Sequence, residues 1–155
     1  MRLFLAILVL IFNLQSPIKA DDIRDFEIEG MSLGDSLLDY FNDEVIETAI
    51  DESYDDRLFI TKTIYELNSN VYQGFQFTYK ESDKKKILHN INGVIEYPNK
   101  LIECNKEAKK IISELSLLFP NTDKEDWGKL KLNDGGHYYP FTFDFKDSAR
   151  AMVSC

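Results

Sequence analysis

Residues that could do covalent chemistry are few in this 155-residue chain: Cys104 and Cys155 are its two cysteines, His89 and His137 its two histidines. In an exported chain two cysteines most simply form a disulfide. Such a bridge would tie the stretch around Cys104 to the last residue, and chain entropy would make it worth roughly 4 kcal/mol. Two separate thiols, or a bridge between chains, are the alternatives. With no C-x-x-C, redox exchange is not indicated. His89 falls in an alternating apolar run, which suits a hydrogen-bonded core or pocket-wall imidazole. Paired with a carboxylate it would be the centre of a hydrolase, and beside a free Cys104 it would make a Cys–His pair; a disulfide removes that nucleophile. His137 follows Asp134-Gly135-Gly136 and should face water. There is no G-x-S-x-G elbow, no phosphate-cradling G-x-x-x-x-G-K-[ST] loop and no H-E-x-x-H, so no catalytic residue, cofactor or metal is expected. The stretch Asp51, Glu52, Ser53, Tyr54, Asp55, Asp56 is rich in carboxylates. It lacks the glycine and final glutamate of a calcium loop, and reads as a solvated turn.

Charge is the other source of chemistry. From Asp21 to Asp56 there are 14 acids and one base, Arg24, a net of −13, while residues 57–155 carry a net of +2. That acidic stretch could be a solvated face, could meet a basic protein, or could sit on the chain's own Lys84-Lys85-Lys86 and Lys106/Lys109/Lys110 clusters. Asp51, Glu52, Asp55, Asp56 and His89 are the candidate contacts to a ligand or partner. The balance argues against a nucleic-acid partner, because phosphate binding needs a basic surface.

The chain opens with Met1-Arg2, an apolar run from Leu3 to Phe12, polar Gln15-Ser16-Pro17 and small Ala20. This pattern predicts a secretory signal peptide over residues 1–20, with the cut after Ala20 or within two or three residues of it. The run is far shorter than the roughly 20 apolar residues that span a bilayer, and no later one is long, so no stable membrane anchor is expected. No cysteine lies near the cut to carry a lipid. Residues 21–155 would remain as a single domain with 16 basic and 27 acidic residues, a net of −11, in the periplasm or outside the cell.

The element that must position the rest is Asn99 to Phe119, bounded by Pro98 and Pro120. Leu101, Cys104, Ala108, Ile111, Ile112, Leu115, Leu118 and Phe119 recur at threes and fours, one apolar stripe of one helix. It is expected to pack across a sheet as the main core helix. Before it, Leu58–Tyr65, Tyr72–Lys80 and Ile87–Tyr97 read as an antiparallel meander. Phe75, Phe77 and Tyr79 share one face, Ile87, His89, Ile91, Ile95 and Tyr97 another, and Gly93 marks a bulge or close backbone approach. After it, Asn121–Asp126 reads as a polar loop. Trp127–Leu132 and Tyr138–Phe145 flank an Asn133-Asp134-Gly135-Gly136 hairpin turn, and Ala151, Val153 and Cys155 share a face of a last strand. Near the start, Phe26–Ile28 could be a strand. Residues 32–50 read as a broken amphipathic helical unit, capped by Ser32 or Asp35 and again by Asn42. The fold class is therefore α+β: two three-stranded antiparallel segments with the 99–119 helix and the short N-terminal helical unit on one face.

The run from Ile23 to Phe41, IRDFEIEGMSLGDSLLDYF, resembles the opening of a family of small exported proteins of marine alphaproteobacteria. The likeness extends faintly through Gly93–Tyr97 and the Cys104 helix. It implies origin and compartment; no activity and no functional residue come with it. Gly30-Met31-Ser32 before a helix also resembles, over three residues, small periplasmic outer-membrane assembly modules. The function expected is a non-enzymatic binding protein whose partner is an unknown protein or small molecule. It would act through the acidic face, or through a pocket for a small apolar ligand between helix and sheet, lined by aromatics such as Phe75, Phe77, Phe141 and Phe143.

Overall fold

The computed structural model describes residues 22–53, 58–65, 69–132 and 135–155. The expected signal peptide over 1–20, the acids Asp55 and Asp56, and Asn133 and Asp134 of the expected hairpin turn lie outside the described residues. The fold is α+β and mostly sheet. Its contacts gather into two compact units, one spanning Asp22–Leu101 and one whose described part is Ile102–Cys155.

The first unit is built on the antiparallel sheet β1 (Ile50–Asp51), β2 (Phe59–Tyr65), β3 (Gly74–Lys80) and β4 (Asn90–Val94), paired in that order. The register sets Ile60 opposite Tyr79, Lys62 opposite Phe77 and Ile64 opposite Phe75. Because side chains alternate along a strand, these six share one face. Phe75, Phe77 and Tyr79 are buried there, as their spacing predicted, together with Ile60, Ile64, Leu88, Met31, Leu37 and Ile46. Leu37 and Ile46 come from the N-terminal segment, which therefore lies on that face of the sheet. Its form is looser than expected. Ser36, not Ser32 or Asp35, caps a single 3-10 turn, Leu37–Asp39, while Asp35 accepts the N–H of Ser32. Asn42 caps α1 (Asp43–Thr48) as expected, accepting from the Val45 N–H. Phe26–Ile28 forms no strand. Instead Ile28 and Met31 exchange backbone hydrogen bonds across Glu29 and Gly30, both at positive φ (51° and 78°), the geometry of a tight hairpin turn.

The edges of this sheet differ from expectation. β1 adds a fourth strand where an acidic connection was expected; it is two residues long and charged, a form that resists further pairing. β4 begins at Asn90, three residues later than the alternation suggested. Leu88 rather than Ile87 or His89 is buried, because the chain bends at His89 before entering the strand. Gly93 is a close approach: a Cβ there would overlap the Tyr72 ring.

In the second unit, α2 (Leu101–Leu118) forms within the expected limits. Its apolar stripe is only half-buried, and no helix residue is fully buried, so it is not the core helix the periodicity suggested. The buried anchor is Phe119, one residue past the helix, whose ring meets Phe143 and Phe145 edge-on at 5.9 and 5.0 Å. The sheet is β5 (Asp123–Asp126), β8 (Phe141–Asp144) and β9 (Arg150–Val153), ordered β5-β8-β9, and β6 (Leu130–Lys131) pairs with β7 (His137–Tyr138) as a separate hairpin. The expected strand 138–145 is thus two strands, divided at Tyr139 and Pro140, and the expected loop 121–126 contains β5. Instead of two three-stranded segments the sheets have four, three and two strands.

Candidate functional site

The cysteines are joined. Cys104 in the first turn of α2 bridges to Cys155, beyond β9, with Cα atoms 6.0 Å apart. The bridge closes the second unit end to end across a separation of 51 residues. It leaves no thiol at Cys104 for a Cys–His pair.

His89 is exposed, its ring edge-on to Phe59 at 5.4 Å, and its backbone N–H donates to Thr78. The wall of a buried face, where the alternation put it, is occupied by Leu88. His137 is exposed in β7, as expected. Among the described residues no group of three or more His, Cys, Asp or Glu side chains is placed to hold a metal, and no described helix is long and apolar enough to cross a membrane.

The acidic segment is organised around two tyrosines. The Tyr40 hydroxyl donates to Asp35 at 2.6 Å and lies 3.1 Å from the Gly30 carbonyl. That bond, with the Ser32 N–H, holds the Asp35 carboxyl below its ordinary range. The same bond, then burial and the charges of Asp35, Asp39 and Glu27, pushes Tyr40 up to about 12. Tyr79 is likewise pushed up to about 12, first by burial and then by Glu47, Asp51 and Asp43.

The chain's own lysines meet part of this charge. Lys86 lies 2.9 Å from Asp43 and 4.0 Å from Glu47, so one lysine of the Lys84-Lys85-Lys86 cluster meets the acids. Lys62, 8% exposed on the apolar face, reaches Asp51 at 3.4 Å, its stem buried and its ammonium at the rim. Asp51 is held near 2, chiefly by hydrogen bonds from Ser53 and then by Lys62. Glu52 works inside the sheet: Thr63 and Gln76 donate to it, and Asn92 donates to Gln76, linking β2, β3 and β4. Two of the candidate partner contacts, Asp51 and Glu52, are thus already engaged within the fold.

What faces outward beside them was not singled out by the sequence. Val45 on α1 is 37% exposed and Ile50 on β1 is 54% exposed. Glu44, Glu47 and Asp51 are their chain neighbours, and all three are exposed. Behind them Ile46 is sealed in the core. One turn of helix thus offers Ile46 to the core and Val45 to water, which a stripe pattern over six residues cannot resolve. The surface is apolar islands set in negative charge.

An open depression of about 520 Å³ lies elsewhere on this unit, lined by Tyr65, Ser69, Asn70, Val71, Tyr72, Gln73 and Glu96. None of these comes from α2 or includes His89. Tyr65 lies over Gly74 and Tyr72 over Gly93, each ring covering a strand position that has no side chain. No protein-family model, curated protein or solved structure matches the chain.

Proposed function

We propose that this protein is an exported, non-enzymatic interaction protein, acting in the periplasm or outside the cell, and that its N-terminal unit docks a basic protein partner. The observation that carries the reading is Val45 on α1, exposed between exposed Glu44 and Glu47 while Ile46 beside it is buried, with Ile50 on β1 a further exposed apolar residue. Apolar anchors rimmed by one sign of charge suit a partner of the opposite sign: charge speeds and orients encounter, and the buried apolar contact holds the complex. Export rests on the signal-peptide pattern of residues 1–20 and on the resemblance of residues 23–41 to exported proteins, and the Cys104–Cys155 bridge is compatible with an oxidising compartment.

Carbodiimide cross-linking in intact cells, which couples carboxylates to the lysines of a bound partner, tests it. Cross-links should concentrate on Glu44 and Glu47, and should weaken with salt and in a Val45→Ser/Ile50→Ser variant. An unchanged pattern in that variant, or no partner peptide at all, would overturn the reading.

A small-molecule reading keeps a place because the Tyr65/Tyr72 depression is concave and mixed in polarity. The depression takes no residue from the 99–119 helix, beside which the pocket for an apolar ligand was expected. Native mass spectrometry of the exported protein separates the readings, since a retained ligand appears as mass that leaves on unfolding. No feature around exposed His89 favours a hydrolase.

A further inference from the structure

The second unit carries an ordered polar row on one face of its sheet. The β5-β8-β9 register places Glu125 and Met152 on either side of Thr142, and Asp123 and Arg150 on either side of Asp144. Phe141 and Phe143 point to the opposite face. Trp127, whose N–H hydrogen-bonds to the Pro140 carbonyl, donates its indole N–H to the Thr142 hydroxyl at 3.2 Å. Thr142 donates in turn to Asp144 at 3.2 Å, and the Arg150 guanidinium donates to the other oxygen of the same carboxylate. Thr142 is buried, yet Trp127 remains 43% exposed, and Met152, the partner of Thr142 on β9, is exposed as well. A large aromatic ring is therefore held in place by its own N–H with much of its surface in water. Asp144, with Arg150 paired to it across the strands, lies two residues beyond Thr142, a step of about 7 Å.

A ring fixed this way costs little to order on binding. Its apolar surface matches the C–H face of a pyranose. The carboxylate and guanidinium next to it are planar, multiply bonding groups that match the hydroxyls on the sugar's rim. We propose that the Trp127–Thr142–Asp144–Arg150 row is a saccharide-binding subsite, with the ring stacking on Trp127 and its hydroxyls meeting Asp144 and Arg150. The row belongs to the second unit and the acidic residues to the first, so its test does not rest on the proposed function.

The chain has one tryptophan, so its fluorescence reports this site alone. The probes are the tetrasaccharides of β-1,4-glucose, α-1,4-glucose and β-1,4-N-acetylglucosamine, titrated onto the full oxidised protein. Expected is a saturable blue shift with reduced acrylamide quenching for at least one of them, with a dissociation constant of about 1 mM or tighter. Arg150→Ala and Thr142→Val keep the reporter and should weaken binding at least about tenfold. Far-UV circular dichroism checks that both variants are folded. No saturable change with any probe, or unaltered affinity in both folded variants, overturns the proposal. Calorimetry with Trp127→Ala gives a further arm: retained affinity there would place the sugar elsewhere and also overturn it.

Discussion

Gly93 shows how one missing side chain fixes a neighbour. Its backbone lies against the Tyr72 ring, and Tyr72 packs in turn on Phe75 with ring centres 5.1 Å apart. A methyl group at Gly93 must push that ring off the core edge. Gly93→Ala should therefore lower stability by roughly 1–3 kcal/mol, the cost of overpacking a formed contact, read as a lower urea midpoint at unchanged slope. An unchanged midpoint would mean that the Tyr72 ring moves freely. Tyr40 and Tyr79 give a second prediction, in alkali. Both are raised to about 12 when folded, against an ordinary value near 10. Between those limits the folded chain holds more protons than the unfolded one, so stability is full below about pH 10 and falls as pH rises toward 12. Phenolate absorbance should show both tyrosines titrating late, and Tyr79→Phe should remove one of the late components. Asp51 carries the opposite sign. Its folded value near 2 gives stability that is present above about pH 4 and is lost as pH falls through 2.

The bridge between α2 and the chain beyond β9 is where covalent chemistry bears on the fold most directly. With no residue of α2 fully buried, the helix is held by Phe119, by its half-buried stripe and by Cys104. In the chain-entropy account a loop of this size is worth about 4 kcal/mol. Cys104→Ser/Cys155→Ser should lower the denaturant midpoint of the Trp127 fluorescence change accordingly, and a shift under about 1 kcal/mol would show that the unfolded chain is hardly constrained by the link. Which elements could be read beforehand follows from the same physics. β3 announced itself because Phe75, Phe77 and Tyr79 alternate with polar residues, and α2 because its stripe runs for five turns between prolines. β5 did not: Asp123-Lys124-Glu125-Asp126 has no apolar residue, and it is a strand because β8 offers it a partner. β1 was lost inside an acidic run for the same reason. The stripe of α2 gave the buried face correctly and the depth of burial wrongly, since periodicity records direction and not what lies opposite. Of the candidate site, the cysteine pairing was legible from the count of two and the expectation of export. Trp127 beside Thr142 depends on register, and the exposure of Val45 on a six-residue helix, and no local pattern specifies either.

Across the whole molecule the acidic imbalance has to be reconciled with a stable fold. Like charges crowded into Asp21–Asp56 repel one another, and the structure answers in three ways: Lys86 and Lys62 are drawn onto Asp43, Glu47 and Asp51; Glu52 and Asp35 are spent on hydrogen bonds; and Glu27, Asp39 and Glu44 stay in water. The removal of residues 1–20 on export would deepen the imbalance, since it takes away Arg2 and Lys19 and no acid. Export and oxidation should then be coupled in a measurable way. Expressed with its first 20 residues in a bacterial host, the periplasmic product should begin at Asp21, or within three residues of it, and should resist thiol alkylation until reduced. The same chain expressed from Asp21 in a reducing cytoplasm should be alkylated at both Cys104 and Cys155 and should unfold at lower denaturant. Intact mass with and without alkylation reads every one of these states. An uncleaved product, or cysteines alkylated without reduction in the periplasmic fraction, would remove the basis for placing this protein outside the cytoplasm.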